Sequence, residues 1–390
     1  MSAPILPGAM LGVLGGGQLG RMFTMAARRM GYRVAVFSPE EDSPAGQLAS
    51  AEVRAAYDDL DAVARFARDV DVVTFEFENV PSATAEAAGR HAPLRPGGDL
   101  LHHTQERSRE KDALSGHGIP VAPYGVVEGP DDLAAAAATT GFPAVLKTAS
   151  WGYDGLGQRV VRDAAGLAAA WDELGRPRAV LEQLVDFEAE LSVVGARGSD
   201  GQVALYEPTL NRHASHILDV VLCPAPLPAA VRDRAEELAR HVLEAFDVVG
   251  VLCIELFLLR DGGLLVNELA PRPHNSGHVT LDAHVTCQFE QQVRAVCGLP
   301  LGSTARRGPA AVMVNLLGDL WAGGTPDWSA ALADRDVRLH LYGKRDARPG
   351  RKMGHLNLVA DDLEEAERRA LAAREALRCA DPEGATWTGA

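Results

Sequence analysis

The sequence contains little cysteine. Its 390 residues include five cysteines, at positions 223, 253, 287, 297 and 379, and no two of them form a Cys-x-x-Cys pair. An odd number at these spacings indicates neither a disulfide framework nor a zinc site. We therefore expect isolated, reduced thiols that pack as small apolar groups in a cytoplasmic protein.

Long apolar runs and a positive net charge are also missing. No window of about 18 apolar residues is present, so no transmembrane helix is predicted, and the first four residues lack the basic region of a signal peptide. The formal net charge of -15 repels phosphate backbones and acidic lipids. We therefore expect no nucleic-acid and no membrane partner, although a local basic pocket can still bind a small anion.

Lysine is scarce as well. The chain has 34 arginines but only four lysines, which are Lys111, Lys147, Lys344 and Lys352. Since arginine supplies the ordinary surface charge, each lysine is a candidate for a site that needs a compact ammonium group. The alternative is that these four lysines merely escaped a coding bias.

With 47% hydrophobic and 23% charged residues, the chain has the composition of a soluble globular protein of two to four domains. Strand and helix patterns alternate over residues 10–77, which predicts a parallel, doubly wound sheet. One polar helix is predicted over residues 100–115. A hairpin is predicted from strands 251–259 and 264–269 with a turn between them.

A glycine motif, Gly15-x-Gly17-x-x-Gly20, follows the first predicted strand and opens a helix. Backbone N–H groups at such a helix start can hold a phosphate, and Gln18 can add a side-chain contact. A nicotinamide cofactor is a poorer match, because the second strand does not end in a well-placed acidic residue. A purely structural turn is the remaining alternative to a phosphate-bearing substrate.

The third predicted strand ends in Glu76 and Glu78, at the edge of the sheet where ligands gather in such folds. Side chains alternate along a strand, so the two carboxylates are expected on opposite faces. We favour Glu76 as the one that faces a ligand. The alternative is an acidic loop in solvent.

Lys147 at a strand end is followed by a glycine-rich loop at residues 152–158. Such a loop can close over nucleotide phosphates beside the ammonium group, although it is not a P-loop. A plain hairpin is the alternative. Residues 182–185, followed by Glu190, suit a hinge whose free backbone groups pair with adenine, but this pattern is non-specific by itself.

The two arms of the predicted hairpin carry Glu255 and Glu268, which the turn can bring side by side. Two converging carboxylates next to phosphate oxygens are typical of Mg²⁺. Asn267 can share the site if the strand ends there. The alternative, solvent exposure of both acids, is disfavoured by their apolar neighbours.

Two polar loops contribute further candidate site residues. Residues 271–278 offer Arg272 and His274 close to Glu268, whereas a lone histidine such as His278 is more often structural. Residues 344–355 form a basic cluster that suits a phosphate monoester, with a solvated loop as the alternative.

Together and in order, these motifs resemble those of the ATP-grasp enzymes, and among them the N5-carboxyaminoimidazole ribonucleotide synthetases of purine biosynthesis. The resemblance extends over about residues 10–358. It rests on the runs GGGQLGR (15–21), EFENV (76–80), GYDGLGQ (152–158), NELAPRPHNSGH (267–278) and RPGRKMGHLN (348–357). Only the run at 267–278 is specific by itself.

The resemblance implies an α/β and α+β protein of the ATP-grasp fold. Its expected parts are a Rossmann-like domain (1–119), a small lid domain (120–196) and a C-terminal α+β domain with an extension (197–390). The implied reaction joins ATP, bicarbonate and 5-aminoimidazole ribonucleotide through carboxyphosphate, and gives ADP, phosphate and N5-carboxyaminoimidazole ribonucleotide. Mg²⁺ is the implied cofactor, ATP a co-substrate and a homodimer the implied assembly.

The resemblance also implies residue roles. The positions matched to ATP binding are Arg107, Lys147, Gly152, Tyr153, Asp154, Gly155, Leu156, Gly157, Gln158, Glu182, Gln183, Leu184, Val185, Glu190, His213, Asn267 and Glu268. Those matched to Mg²⁺ are Glu255 and Glu268. Those matched to the ribonucleotide, partly by analogy with glycinamide ribonucleotide transformylase, are Gln18, Leu19, Glu76, Asn275, Lys344, Arg351 and Lys352. Those matched to catalysis on carboxyphosphate are Arg272, His274 and Lys344.

Two alternative functions stay open at this stage. One is a different ATP-grasp ligase, such as the formate-using transformylase. The other is a catalytically silent nucleotide-binding module whose acidic residues hold no metal, which the Glu255 and Glu268 pair disfavours. Residues 379–390 carry no motif.

Overall fold

The computed structural model describes residues 3–150 and 157–377. The first part of the chain forms a parallel sheet with strand order β3-β2-β1-β4. Its elements are β1 (Met10–Leu14), α1 (Gln18–Arg29), β2 (Arg33–Ser38), β3 (Ala51–Arg54), α2 (Leu60–Arg68), β4 (Val72–Phe75), α3 (Ser82–Gly89), α4 (Gly98–Thr104) and α5 (Arg107–Gly116). Leu14 pairs with Phe37 on one side and with Phe75 on the other, so the carboxyl ends of three strands meet at one edge.

Helix α2 illustrates how the sequence specifies these elements. The Asp59 side chain caps the helix by accepting a hydrogen bond from the amide of Ala62, which satisfies a donor that the helix itself leaves unpaired. Val63, Phe66 and Ala67 follow at helical spacing and are buried. This apolar face packs in the same core as Phe37 and Phe75 of the sheet.

The single helix predicted over residues 100–115 is in fact two helices, α4 and α5. Glu106 interrupts them with an extended backbone, at φ -138° and ψ 122°. The amide of Arg107 donates to the carbonyl of Ala149 instead of continuing the first helix. This contact ties the start of α5 to the end of the strand that carries Lys147.

A small antiparallel sheet follows, with strand order β5-β8-β6-β7. Its elements are β5 (Tyr124–Val127), α6 (Asp132–Thr140), β6 (Ala144–Thr148), β7 (Gln158–Val161), α7 (Ala164–Glu173) and β8 (Ala179–Gln183). Gly125 lets α6 pack closely on this sheet, because a Cβ at that position would lie only 2.5 Å from Cα of Ala136.

The rest of the chain is organised around a large antiparallel sheet with strand order β14-β13-β9-β11-β12-β15-β17-β16, and β10 pairs with β9. Its strands are β9 (Phe187–Arg197), β10 (Val203–Leu205), β11 (Thr209–Ala214), β12 (Ile217–Cys223), β13 (Gly250–Leu259), β14 (Leu264–Ala270), β15 (Ala310–Leu317), β16 (Arg338–Leu341) and β17 (Lys352–Ala360). Its helices are α8 (Ala229–Ala245), α9 (Thr280–Ala283), α10 (Gln288–Val296), α11 (Trp328–Ala331) and α12 (Leu363–Ala376). The predicted boundary at 196/197 lies at the end of β9, whose partners belong to this large sheet; the division into three domains stays a prediction.

The predicted parallel sheet, small α+β unit and C-terminal α+β unit are thus all present in the described residues. None of the helices in these residues combines the length and the apolar character needed to cross a membrane.

Candidate active site

The two acidic residues of the hairpin lie opposite each other. β13 and β14 pair antiparallel, with Glu255 directly opposite Glu268. The register then shifts, because Leu256 pairs with Val266 and leaves Asn267 as an extra residue on β14. The strand therefore does not end at Asn267. A β-bulge interrupts the alternation of side chains there, and this allows two consecutive residues to serve one site.

The charges around this pair fit a divalent cation. Burial, and after it the charges of Glu268 and Glu190, raise the pKa of Glu255 well above its usual range. The side-chain oxygen of Asn267 is buried and has no hydrogen-bond partner in the part of the chain that the structure describes. Carboxylate and amide oxygens are ligands that Mg²⁺ accepts, together with phosphate oxygens and water.

No larger ligand cluster competes with this pair. Across residues 3–150 and 157–377, the structure contains no group of three or more His, Cys, Asp or Glu side chains that could hold a metal ion. At the hairpin, the candidate protein ligands are the carboxylates of Glu255 and Glu268 and the amide oxygen of Asn267, and Mg²⁺ usually adds phosphate oxygens and water to such a set.

Each carboxylate contacts a nitrogen-bearing side chain. Oε2 of Glu268 lies 3.1 Å from Nη1 of Arg107, and Oε1 of Glu255 lies 3.1 Å from Nε2 of His274. Burial lowers the pKa of His274 well below its usual range, so the imidazole is neutral. Nδ1 of His274 lies 2.9 Å from Oγ of Ser276, and this contact orients the ring.

A buried cluster of opposite charges lies beside the hairpin. Oε2 of Glu182 is 2.9 Å from Nζ of Lys147 and 3.3 Å from Nζ of Lys111. Burial acts to raise the pKa of Glu182, but the two ammonium groups prevail and lower it to about 2. Lys147, predicted to bind ATP phosphates, is therefore held in place by a carboxylate from the neighbouring strand of the small sheet.

Helix α5 presents three charged residues to this cluster. Arg107, Glu110 and Lys111 are spaced i, i+3 and i+4, so they share one face of the helix. Glu110 accepts a hydrogen bond from the amide of Leu269, and burial raises its pKa to about 8. Lys111 was a candidate only as one of the four scarce lysines, and Glu110 was not predicted at all; their helical spacing with Arg107 is the signal that points to both.

The glycine-rich loop at residues 152–158 is only partly described by the structure. Gly152, Tyr153, Asp154, Gly155 and Leu156 lie outside the described residues. Gln158 pairs with Lys147 across β6 and β7, and the amide of Thr148 donates to the carbonyl of Gly157. Gly157 has a φ of +75°, and a Cβ there would lie 2.6 Å from Oγ1 of Thr148, so the base of the loop requires glycine.

The predicted hinge borders a cavity of about 460 Å³. Gln183, Leu184 and Val185 line it from one side and Leu259 and Leu265 from the other. The backbone groups of the hinge were predicted to be unpaired and available to adenine. Two of them are paired, since the amides of Gln183 and Leu184 donate to the carbonyls of Pro123 and Pro143.

Glu190 and His213, both matched to the nucleotide, lie on adjacent strands. Nδ1 of His213 is 2.8 Å from Oε2 of Glu190, and both side chains are about a quarter exposed. The β9–β11 pairing places Asn211 opposite Glu190. In the pairing of β11 with β12, the register shifts between Arg212 and His213. The structure thus brings these two predicted residues together.

The glycine motif and Glu76 form one unit. The Glu76 carboxylate accepts hydrogen bonds from the amides of Gly17 and Gly20. A Cβ at Gly15 would lie 2.2 Å from Cγ of Glu76. The amides that the sequence analysis assigned to a substrate phosphate are therefore engaged by a carboxylate of the protein itself.

Alternation along a strand predicted that Glu76 and Glu78 point to opposite faces, but neither residue lies on a strand. β4 ends at Phe75, so the rule no longer applies to the two acidic residues. Oε2 of Glu78 accepts a hydrogen bond of 2.5 Å from Nε of Arg272. The charge of Arg272 acts on both carboxylates.

Lys344 connects the N-terminal sheet to the C-terminal one. Its Nζ donates to Oε1 of Gln18, at the start of α1, and to the carbonyl of Lys352 at 2.7 Å. Burial lowers the pKa of Lys344 to about 8. The charge of Lys352 acts on Lys344, Glu255 and His274, so Lys352 lies between the predicted metal and ribonucleotide sites.

The other residues matched to the ribonucleotide have mixed surroundings. Asn275 is buried and exchanges two side-chain hydrogen bonds with Asn315 of β15, which the sequence analysis did not identify. Nη1 of Arg351 donates to the carbonyl of Asp346. Leu19 packs against the core of the first unit, so its side chain has a structural contact as well.

Three domain families match successive parts of the chain. The ribonucleotide synthetase preATP-grasp domain matches residues 9–105, the ATP-grasp domain residues 112–289, and the phosphoribosylaminoimidazole carboxylase C-terminal domain residues 311–369. These matches confirm the predicted ATP-grasp fold.

Similarity extends over nearly the whole chain. The N5-carboxyaminoimidazole ribonucleotide synthase of Bacillus subtilis (strain 168) is 42% identical over 367 residues, which cover 93% of this chain and 94% of that protein. The crystal structure of N5-carboxyaminoimidazole ribonucleotide synthetase from Thermus thermophilus has a TM-score of 0.87 at 41% identity and covers 97% of this chain and 100% of that one.

A third similar protein was solved with ligands. The N5-carboxyaminoimidazole synthase from Aspergillus clavatus, in complex with ADP and 5-aminoimidazole ribonucleotide, has a TM-score of 0.85 at 31% identity, covering 95% of this chain and 98% of that one. Since sequence, domain order and structure agree over this length, the chain belongs to the N5-carboxyaminoimidazole ribonucleotide synthase family of ATP-grasp ligases.

Proposed function

We propose that this protein carboxylates 5-aminoimidazole ribonucleotide with bicarbonate in a reaction driven by ATP. The products are N5-carboxyaminoimidazole ribonucleotide, ADP and phosphate. The observation that carries the proposal is the register pair of Glu255 and Glu268, with Arg107 beside one carboxylate and His274 beside the other. The Aspergillus clavatus protein, solved with ADP and 5-aminoimidazole ribonucleotide, supports the choice of both ligands.

In this proposal ATP lies between the small and the large sheet. Arg107 and Lys147 bind its phosphates, and residues 182–185 border the adenine. Glu190 contacts the ribose, and His213 makes another contact with the nucleotide. Glu255, Glu268 and the amide oxygen of Asn267 would hold Mg²⁺. Bound there, the ion offsets the negative charge of the phosphate oxygens.

The first step would be phosphoryl transfer to bicarbonate. A bicarbonate oxygen forms a bond to the γ-phosphorus while the bond to the bridging oxygen breaks, and ADP leaves with that oxygen. Charge builds on the transferring group, so fixed cations nearby are the main source of acceleration. In this proposal the carboxyphosphate that forms is bound by Arg272, whose charge acts on Glu255, and by the neutral His274, whose ring contacts Glu255.

The second step would be attack by the neutral amine of the ribonucleotide on the carboxyl carbon. The carbon–oxygen bond to phosphate breaks, phosphate leaves with that oxygen, and the nitrogen gives up one proton, which the leaving phosphate takes. Water must be excluded meanwhile, which gives the loop at residues 152–158 its proposed role as a lid. Gln18, Glu76, Asn275, Lys344, Arg351 and Lys352 surround the proposed ribonucleotide site.

The substrate assignment can be tested by ADP release. With bicarbonate present, 5-aminoimidazole ribonucleotide should stimulate Mg²⁺-dependent ADP release, and glycinamide ribonucleotide should not. Stimulation by glycinamide ribonucleotide with formate would instead indicate the transformylase reaction. If neither compound stimulates ADP release, the proposal of an enzyme is wrong and a silent nucleotide-binding module is favoured.

A pH dependence follows from Lys344. The ammonium form is needed to bind the ribonucleotide phosphate, and its pKa in the free protein is lowered to about 8. As the pH rises above this value, kcat/KM for the ribonucleotide should fall, by about tenfold per pH unit at the alkaline limit. Lys344→Arg should remove this inflection, because a guanidinium stays charged. A wild-type profile that stays flat well above the pKa of Lys344 would contradict the role of this residue.

We also propose that the protein is a cytoplasmic homodimer and that each chain has three domains, as predicted, with one boundary moved from residue 197 to the start of β9 at Phe187. The sheet pairing favours a start of the third domain at β9, since its neighbours are β13 and β11.

A further inference from the structure

The contact between Glu78 and Arg272 joins two parts of the chain that are distant in sequence. Glu78 follows β4 of the N-terminal sheet, whereas Arg272 follows β14 of the large sheet, next to the proposed metal site. Their 2.5 Å contact is largely shielded from solvent, with side chains that are 29% and 15% exposed. An ion pair in such surroundings holds its partners more firmly than an exposed pair does.

The hydrogen bonds of Arg272 define which part of its guanidinium faces the site. Nε donates to Glu78, and Nη1 donates to the carbonyl of Pro273 at 3.2 Å. Within residues 3–150 and 157–377, the structure shows no hydrogen bond from Nη2. The guanidinium is thus held along one edge, and its Nη2 side is left to a ligand.

The charges around Arg272 explain why one fixed carboxylate matters. Arg272 acts electrostatically on Glu76, Glu78 and Glu255. Glu76 belongs to the proposed ribonucleotide site and Glu255 to the proposed metal site. If Arg272 lost its partner, it would be drawn towards one of these two carboxylates and away from the position that its contact with Glu78 imposes.

We propose that Glu78 is a positioning residue for the reaction: it holds the Arg272 guanidinium so that its free edge faces carboxyphosphate and keeps it away from the other two carboxylates. This inference rests on the proposed function, because it takes Arg272 to act on carboxyphosphate. A carboxylate of the N-terminal domain thereby helps to couple phosphoryl transfer to carboxylation of the ribonucleotide.

The test replaces Glu78 with glutamine, which keeps the shape and a hydrogen-bond acceptor but removes the charge. The measurements are kcat, KM for ATP, the melting temperature and the ratio of ADP to carboxylated product. We expect kcat to fall about 10²-fold, as for a small misplacement of a group at the reacting centre. KM for ATP should stay within about twofold, and the ratio of ADP to product should rise above one, because misplaced carboxyphosphate is lost to water.

Glu86→Gln is the matched control. It also removes a carboxylate next to an arginine in the N-terminal domain, but its partner Arg90 is 3.8 Å away and both side chains are about 70% exposed. We expect wild-type kcat and a ratio of one for this variant. A Glu78→Gln variant with a lower melting temperature and a ratio of one would mean that the pair only ties the domains together, and would overturn the inference.

Arg272→Gln separates failure of the inference from failure of the proposed function. We expect it to lower kcat at least as far as Glu78→Gln does, and the double variant to be no worse than Arg272→Gln alone. If Arg272→Gln impairs turnover while Glu78→Gln behaves as wild type, the inference fails and the proposed function stands. If Arg272→Gln keeps full turnover, the role given to Arg272 fails, and the inference fails with it.

Discussion

Replacing Glu268 with glutamine is expected to lower the rate of ADP release by about 10³-fold or more, a loss of several kcal/mol of transition-state stabilisation. Glu268 lies opposite Glu255 on the hairpin, and the two supply the carboxylates proposed to hold Mg²⁺. Glutamine keeps an oxygen that can accept the hydrogen bond from Arg107, so the main change is the loss of one charge at the proposed metal site. The measurement is ADP release at saturating ATP and ribonucleotide.

Glu237→Gln is a suitable control, because Glu237 is an exposed residue of α8. This variant should match the wild type in both ADP release and melting temperature. Raising the Mg²⁺ concentration should restore part of the activity of Glu268→Gln, since a weakened site is refilled by mass action. Near-normal ADP release by Glu268→Gln at ordinary Mg²⁺ concentration would contradict the metal assignment.

Replacing Glu182 with leucine is expected to destabilise the protein by about 3–5 kcal/mol, as measured by urea unfolding. Lys111 is only 2% exposed and Lys147 only 14%, and both ammonium groups lie within 3.3 Å of the Glu182 carboxylate. Without that carboxylate, two buried positive charges lose the counter-charge that lies within 3.3 Å of both. ATP binding should weaken as well, because Lys147 loses the contact that positions it.

The double variant Glu182→Leu/Lys111→Met should recover part of this loss, because it removes one of the two unpaired charges. The recovery is the non-additivity expected for residues of one charge network. Glu173→Leu is the control: its pair with Arg159 is about half exposed, and such pairs contribute at most about 1 kcal/mol. A loss from Glu182→Leu no larger than that of the control would contradict the role of the buried cluster.

The effect of Glu182→Leu on stability should also depend on pH. The pKa of Glu182 is lowered from 4.5 to about 2 in the folded protein. A carboxyl group with a lowered pKa stabilises the fold above its unfolded-state pKa, and this contribution is lost as the pH falls towards the folded-state value. The difference in unfolding free energy between wild type and Glu182→Leu should therefore shrink steadily as the pH falls below about 5.

Much of the fold and of the candidate site could be predicted from local patterns. Short-range periodicity and turn residues predicted alternating strands and helices over residues 10–77 and a hairpin of strands 251–259 and 264–269. The structure has β1, α1, β2, β3, α2 and β4 in the first range, and a hairpin of β13 and β14 that runs from Gly250 to Ala270. The pairing of Glu255 with Glu268 could also be predicted from the sequence, because a short turn leaves a hairpin little freedom of register.

The errors arose where a local rule stopped short of the residues to which it was applied. Alternation predicted opposite directions for Glu76 and Glu78, but β4 ends at Phe75 and the loop after it bends. The helix predicted over 100–115 breaks at Glu106, because Arg107 forms a hydrogen bond with Ala149 of another unit. The amides of the glycine motif bind Glu76, a contact between residues 56 or more positions apart.

The sequence by itself determined which chemical groups are available: scarce lysines, paired acidic residues on a hairpin, glycines at the turns, and an order of motifs found in one family. Only the tertiary structure decided which of these groups are partners. Glu182 is shared by two lysines, Arg272 is held by Glu78, and Lys344 bridges Gln18 and Lys352. The physical reason is that periodicity and turn chemistry act over a few residues. The charge pairs of this site join residues that are far apart in the sequence, and burial makes each unpaired charge too costly to leave without a partner.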